Sequence, residues 1–480
     1  MLANADLITE PNAQDPLQQD EAPKQDEAPS FYGERSIVPS HDSAPPVIEF
    51  QRRAIAPPIV EIKPLSVENE VIVGEDLLEK TQNQRKHSTN HQHKNLILSP
   101  VDLTREEMLL AKKAKHYFDV NWNQQTGLFD SVQGYHYSTM WDVASGIAAL
   151  LSLEGLNLIS NEEANKQLNV TLNTLSNITL YDDRLPNREY NTRTGEPSGR
   201  YSNTKTNGNG WSALDIGRLI IWLEILAKHK PFFKPDISAI YQYWQLDEAI
   251  FEHDLHGELK TNTKQIYRQE GRLGYLQYAA QGYQLLGYDV STAFDPQFTL
   301  PISIEGHSLL IDNRNLPYFT TDPYVLNAIE IGERNQWWDQ LDVLYALQKE
   351  KSNEEQQLWV FAEDAMNVAP WFSYNNIYYY GKPWLSIAPG GKPISNPAIF
   401  SNKIALGMAV LYPDDPFSNQ LLETVINNCL PYRAIPTGTY ANGAPNTTFN
   451  INTNSLVLQS LWYKYRNYTP LTVVNSVTYE

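Results

Sequence analysis

From Leu103 onward the chain repeats one pattern: a stretch with apolar residues at helical spacing, then a long loop rich in Gly, Asn, Tyr and Asp. Thr104 and Glu107 form a capping box, with Met108, Leu109, Ala111, Ala114 and Tyr117 recurring at helical spacing after it. Ser138 opens a second helix, STMWDVASGIAALLSLEG, for which Gly155 is a natural stop. Ser160 with Glu163 starts a third. Further helical patterns run at about 212–229, 236–249, 274–287, 323–333, 336–351, 397–411, 416–429 and 453–465. Strand signals are few: ISIEGHSLLI (302–311) and NIYYYGKPWLSI (376–387) read as short strands or loops. Roughly eleven helices joined by long loops predict an all-α toroid of paired helices, one face of which the loops build.

The pattern does not reach the N-terminus. Residues 1–100 hold few large apolar side chains and are rich in Pro, Gln, Asp, Glu and Ser, with the near-repeat QDEAP twice. Such a segment cannot offset its ordering entropy, so it is expected to be a disordered linker or tail. His87, His91 and His93 lie in it; a solvated polar tract is the plain reading, metal binding the sharper one. Residues 101–480 are expected to form a single domain, large enough for a core without staples. The one cysteine, Cys429, permits no internal disulfide and sits in an apolar-periodic segment.

No stretch approaches the ~18 apolar residues of a membrane span. The start, MLANADLITEPNAQ, lacks a basic and an apolar region, so no signal peptide is visible. A net charge of −19 argues against nucleic acid, which needs clustered Lys and Arg, and is compatible with neutral sugars. With 11 Trp and 28 Tyr the chain has rings enough both for a core and for stacking on sugars.

Four loop-to-helix junctions concentrate polar chemistry. In GYHYSTMWDVAS, Trp141 precedes Asp142 in a first helical turn, where the macrodipole favours a carboxylate; charge compensation alone explains it equally well. The loop LYDDRLPNREYNTRTGEPSG offers Asn187, Arg188, Glu189, Tyr190, Asn191 and Arg193 to sugar hydroxyls or to its own ion pairs. In NGNGWSALDIGRL, Trp211 precedes Ser212, the expected N-cap, and Asp215 reads as a capping or catalytic carboxylate. In YRQEGRLGYLQYAAQGYQLLGYD, Glu270 stands before two glycines, with Tyr275 and Tyr278 following. A carboxyl among rings suits a general acid, whereas pairing with Arg268 or Arg272 is the structural alternative. Downstream, NVAPWFSYNNIYYYGKPW gathers Trp371, Phe372, Tyr374, Tyr378, Tyr379, Tyr380 and Trp384, and Asn452 and Asn454 precede the last helix as hydrogen-bonding amides or ordinary caps. A phosphate loop, HExxH, CxxC and a GxSxG elbow are all missing from the sequence, and no metal or organic cofactor is implied.

The segments TMWDVAS, LPNREYNTRTGEP, GWSALDIGRL, EGRLGYLQYAAQGYQLLGYD, DPYVLNAIEIG, SNKIALGMAVLYPDD and NINTNSLVLQSLWYK together resemble the bacterial family called domain of unknown function 3131, in order, from about Lys115 to Tyr465. The resemblance implies an (α/α)6 toroid similar to beta-1,2-glucanases and glucoamylase-like hydrolases, and a periplasmic or secreted setting. The combined expectation is a monomeric glycoside hydrolase-like protein acting on a bacterial poly- or oligosaccharide. Glu270 is the expected acid and Asp142 the base or substrate clamp, with Asp215, Glu189 and Glu330 in reserve. Trp141, Asn187, Arg193, Trp211, Tyr275, Trp371, Tyr374, Tyr378, Trp384, Asn452 and Asn454 are the expected sugar contacts. Two alternatives stand beside it. One is a non-catalytic glycan-binding or envelope-assembly protein. The other is a polysaccharide lyase using His136, Tyr137 or Tyr275 as base, whose anionic substrates suit a −19 chain less well.

Overall fold

A computed structural model describes residues 99–474 apart from 200, 262–263, 313, 315–317 and 390. The tail expected over the first hundred residues, with His87, His91 and His93, lies outside the described residues except for Ser99 and Pro100. The described helices are α1 (Arg105–Asn121), α2 (Met140–Gly155), α3 (Asn161–Asn177), α4 (Ala213–His229), α5 (Lys234–Tyr243), α6 (Tyr275–Leu285), α7 (Asp322–Glu330), α8 (Gln340–Glu355), α9 (Asn402–Leu411), α10 (Pro416–Cys429) and α11 (Ile451–Tyr465).

Local sequence explains where they begin. The Thr104–Glu107 capping box is formed in both directions, and Ser160 and Ser212 cap α3 and α4. The start of α2 is shifted by one from expectation. Ser138 pairs with Tyr190 in a two-stranded ladder, so the cap falls to Thr139, which exchanges hydrogen bonds with Asp142 in a reciprocal box.

The helices are of two kinds. In α2, α4 and α9 nearly every residue is buried, whereas α3 buries only a stripe of Ala164, Leu168, Thr171, Leu172 and Leu175. A helix apolar all round must be surrounded; one with a stripe lies on the outside. The inner helices pack in chain order, α2 on α4, α4 on α6, α6 on α7, α7 on α9, α9 on α11, and α11 back on α2, which closes a ring. Helices α1, α3, α5, α8 and α10 pack outside them. The α4–α6 contact is backbone-close: a Cβ on Gly217 would strike the Ala279 carbonyl, and one on Gly282 the Gly217 carbonyl.

The strict all-α (α/α)6 expectation needs correction. Between α6 and α7, where a sixth outer helix would stand, two 3-10 turns precede an antiparallel hairpin, Thr299–Ile304 with His307–Asp312. A second hairpin, Phe372–Tyr379 with Lys382–Ile387, and several two- and three-stranded sheets sit in the loops. Both segments flagged as possible strands therefore are strands. Helical periodicity ends after Leu285, and the β-branched run at 299–312 pairs instead. Cys429 is buried, as expected. No helix among the described residues is long and apolar enough to cross a membrane.

Candidate functional site

Each inner helix is followed by a return to the starting end, so the six N-terminal turns gather at the end built by the loops. They meet in one recess enclosing about 340 Å³ of atom-free space, part of it open solvent. All six helices contribute: Trp141 from α2, Arg218 from α4, Tyr275 from α6, Asp322 and Leu326 from α7, Lys403 from α9, and Asn452 and Leu456 from α11. Glu363, just before the short strand Asp364–Ala365, completes the lining.

Two carboxylates face this space. Glu363 is held by the Arg272 guanidinium and by the Tyr275 hydroxyl, which donates to Oε2 at 3.0 Å. Asp322 accepts the Glu363 backbone N–H at 3.0 Å and lies 2.9 Å from Lys403 Nζ. That ammonium also stands 3.2 Å from Asp364, whose carboxyl is pushed above the usual range by burial, with Lys403 opposing the shift. On the opposite side, the Arg218 guanidinium lies over the Trp141 ring at 4.6 Å and pairs with Glu330 at 3.2 Å. Burial pushes the Glu330 carboxyl upward against the pull of Arg218, and its other oxygen accepts the Tyr278 hydroxyl. Trp141 and Tyr275 meet edge-on, ring centres 5.6 Å apart. The lining thus combines two rings, two carboxylates, two cations and an amide, a set suited to a polyhydroxylated ligand with one apolar face.

Of the residues singled out from sequence, Trp141, Tyr275 and Asn452 come together here. Asp142 lies one layer behind. Its Oδ2 accepts the Thr139 N–H and hydroxyl, and its Oδ1 accepts Asn452 Nδ2 at 3.0 Å, with the residue 0% exposed. Glu270 is not in the lining and is 0% exposed: Oε1 pairs with Arg188 at 3.3 Å and Oε2 accepts the Ala213 N–H at 2.5 Å, the first amide of α4. The strand pairing of Gln265–Gln269 with Asp254–Lys260 turns Glu270 toward the 185–190 loop, where Arg188 meets it. Asp215 is buried in the first turn of α4, its amide bonded to Ser212 Oγ. Glu189 accepts from Tyr135 and Ser198, outside the recess lining.

The other expected sugar contacts disperse. Asn187 is fully buried and ties its loop together through Glu189, Ser198 and Asn209. Asn454 is likewise spent on Ile435 and Asn450. Trp211 is fully buried with its indole N–H on the His256 carbonyl. Exposed Arg193 bonds His136, whose other nitrogen meets Asp130 at 2.8 Å. His136 and Tyr137, the alternative bases, are half-buried and outside the lining. Tyr374 is buried with Arg272 over its ring at 5.9 Å, Tyr378 is half-buried, Trp384 bonds Glu305, and Trp371 is exposed.

Sequence reasoning missed Arg218, Asp322, Glu363 and Lys403. The signal for two of them was present: Arg218 and Lys403 are cations within mostly apolar stretches, IGRLIIWL and NKIALGMAVL, which a buried helix tolerates only when the charge has partners.

The family of proteins of unknown function DUF3131 matches residues 109–467. None of the curated proteins matches the chain. Solved structures do. A candidate glucoamylase from Bacteroides caccae ATCC 43185 is similar at 12% identity and TM-score 0.56, over 76% of this chain and 94% of that one. An endo-beta-1,2-glucanase from Chitinophaga pinensis, with sophorotriose and glucose, is similar at 12% identity and TM-score 0.55, over 77% and 97%. A candidate glucoamylase from Bacteroides fragilis NCTC 9343 gives 12% and 0.56 over 78% and 96%. At such identity the likeness speaks for the helical glycosidase-type fold.

Proposed function

This chain belongs to the DUF3131 family, and on that premise we propose that it is a glycoside hydrolase-like protein acting on a bacterial poly- or oligosaccharide by carboxylate acid/base chemistry. The observation that carries the reading is the recess itself, in which all six inner helices set side chains around two rings and two carboxylates. Glu363 takes the base role first expected of Asp142. Arg272 pairs with it and leaves it in the recess lining, a placement that suits the activation of water. The Asp322–Lys403 pair, 2.9 Å apart, stands as the proton donor to the leaving oxygen. Trp141 and Tyr275 form the apolar wall against a sugar face. Asp142 acts as a positioning residue: it fixes the amide of Asn452, whose Oδ1 in turn accepts from Ser145. Glu270 belongs to the frame, joining the 185–190 loop to α4.

Because similar folds include an endo-beta-1,2-glucanase and candidate glucoamylases, the first substrates to test are beta-1,2-glucan and alpha-glucans, within a wider panel of bacterial polysaccharides. New reducing ends with wild type, and none with folded Glu363→Gln assayed below its melting range, are the expected result. A second reading has one observation in its favour. Tyr275, near Arg272 and beside Arg218 and Lys403 in the recess, is the arrangement a lyase needs to neutralise a uronate and remove its proton. Products of that reaction carry a carbon–carbon double bond and absorb in the ultraviolet; hydrolysis products do not.

A further inference from the structure

We infer that Trp371 is a stacking platform for a sugar ring bound outside the recess, so that the protein grips an extended oligosaccharide. The inference rests on the glycan reading above and adds a subsite to it. Among the described residues Trp371 is the sole Trp more than a third exposed, at 43%. Its indole takes part in none of the ring contacts or hydrogen bonds of the described residues. The backbone there has φ of +71°, a conformation that a bulky L-residue adopts only at a cost. The surrounding loop enforces it. Trp371 donates its N–H to the Val368 carbonyl and accepts from the Met366 N–H at 2.8 Å. Asn367, between them, is pinned by the Tyr440 hydroxyl at 2.7 Å, by Thr447 at 2.9 Å and through its own amide to Asn446. An exposed ring on an anchored, strained loop is already ordered for a ligand and loses little entropy on binding.

The loop also lies close to the chemistry. Asp364 is opposite Ser373 and Ala365 opposite Phe372, so Glu363 enters this ladder one step before Asp364, level with Tyr374. Trp371 follows three residues beyond that level, about 10 Å along the strand direction. Between them stand the edge-on rings of Phe372 and Tyr374, 5.0 Å apart. A glycan whose reacting unit sits at Glu363 passes this loop with a neighbouring unit. A flat apolar sugar face matches an indole face, and exposed Val368 widens the same rim.

The test compares wild type, Trp371→Ala and Trp371→Phe on the shortest oligosaccharide cleaved and on chains several units longer. The expected result for Trp371→Ala is a roughly tenfold rise in KM on the longer chains, with kcat and the shortest substrate unchanged. Trp371→Phe should recover part of the loss, and the melting temperature should not fall. Equal losses on short and long chains, or no change on either, overturn the subsite. If no glycan is turned over, the same comparison is made by calorimetric binding of oligosaccharides to Glu363→Gln with and without Trp371→Ala. Length-dependent binding that the Ala variant weakens supports the platform although hydrolysis has failed; binding indifferent to Trp371 removes it.

Discussion

Replacing Glu270 by Gln separates a frame role from a catalytic one. The carboxylate is 0% exposed, lies 3.3 Å from Arg188 Nη2 and receives the first amide of α4. Gln preserves the shape and an oxygen for the Ala213 N–H, so the helix-start bond survives. What is lost is the charge opposite Arg188, itself almost fully buried, and an uncompensated buried charge costs about 3–5 kcal/mol. With one hydrogen bond retained, the low end applies, about 3 kcal/mol. In a domain of this size that is a fall of about 4 °C in Tm. The assay is calorimetric or circular-dichroism melting of wild type, Glu270→Gln, Arg188→Met and the double variant. The double variant should lose less than the sum of the singles, since it removes both charges. Residual turnover of Glu270→Gln below its melting range should stay within a few-fold of wild type. An unchanged Tm together with abolished turnover would refute this reasoning and return Glu270 to the reacting bond.

Other perturbations give equally definite outcomes. His229 is held near a pKa of about 4 by burial, below the ordinary 6.5. Between those values the unfolded chain binds a proton that the folded chain refuses, so stability falls as pH drops from about 6.5 to 4, by up to about 3 kcal/mol. His229→Gln keeps a donor for the Leu471 carbonyl and should flatten that slope in urea titrations at several pH values; an unaltered slope removes His229 as its source. Gly282→Ala should destabilise the α4–α6 crossing by about 1–3 kcal/mol, since its methyl meets the Gly217 carbonyl; a neutral effect in denaturant titration would show the crossing to be looser than described. Arg268 has two shielded guanidinium nitrogens without hydrogen-bond partners, so Arg268→Met should hold or raise Tm, and a clear fall would contradict that.

Much of the helical frame was legible because it is written locally. Thr104 with Glu107, and the caps Ser160 and Ser212, each carry their own signal within four residues. The misplacement at Ser138 came from a tertiary cause: its ladder with Tyr190 draws it into a strand, which no local pattern announces. The missing outer helix is of the same kind, since only the pairing of Thr299–Ile304 with His307–Asp312 distinguishes that stretch from a loop. In the recess lining, Trp141, Tyr275 and Asn452 were legible as candidates because they stand at helix starts beside turn signals. Asp322 stands at a helix start too, yet DPYVLNAIE looks like an ordinary capped turn. Glu363 lies just before a two-residue strand, and nothing in WVFAED reveals that Arg272 and Tyr275, some ninety residues earlier in the chain, will close on it. Conversely, Glu270 looked functional because it precedes two glycines. Those glycines serve close packing, Gly271 against Leu214 and Leu276 and Gly274 against Pro323 and Tyr324.

The most direct measurement is a crystal structure of the Glu363→Gln variant soaked with an oligosaccharide from the panel. The account predicts sugar density in the recess, with a ring face on Trp141 or Tyr275 and its glycosidic oxygen within hydrogen-bonding reach of residue 363 or the Asp322–Lys403 pair. Sugar bound elsewhere, with the recess closed by its own ion pairs, would contradict it.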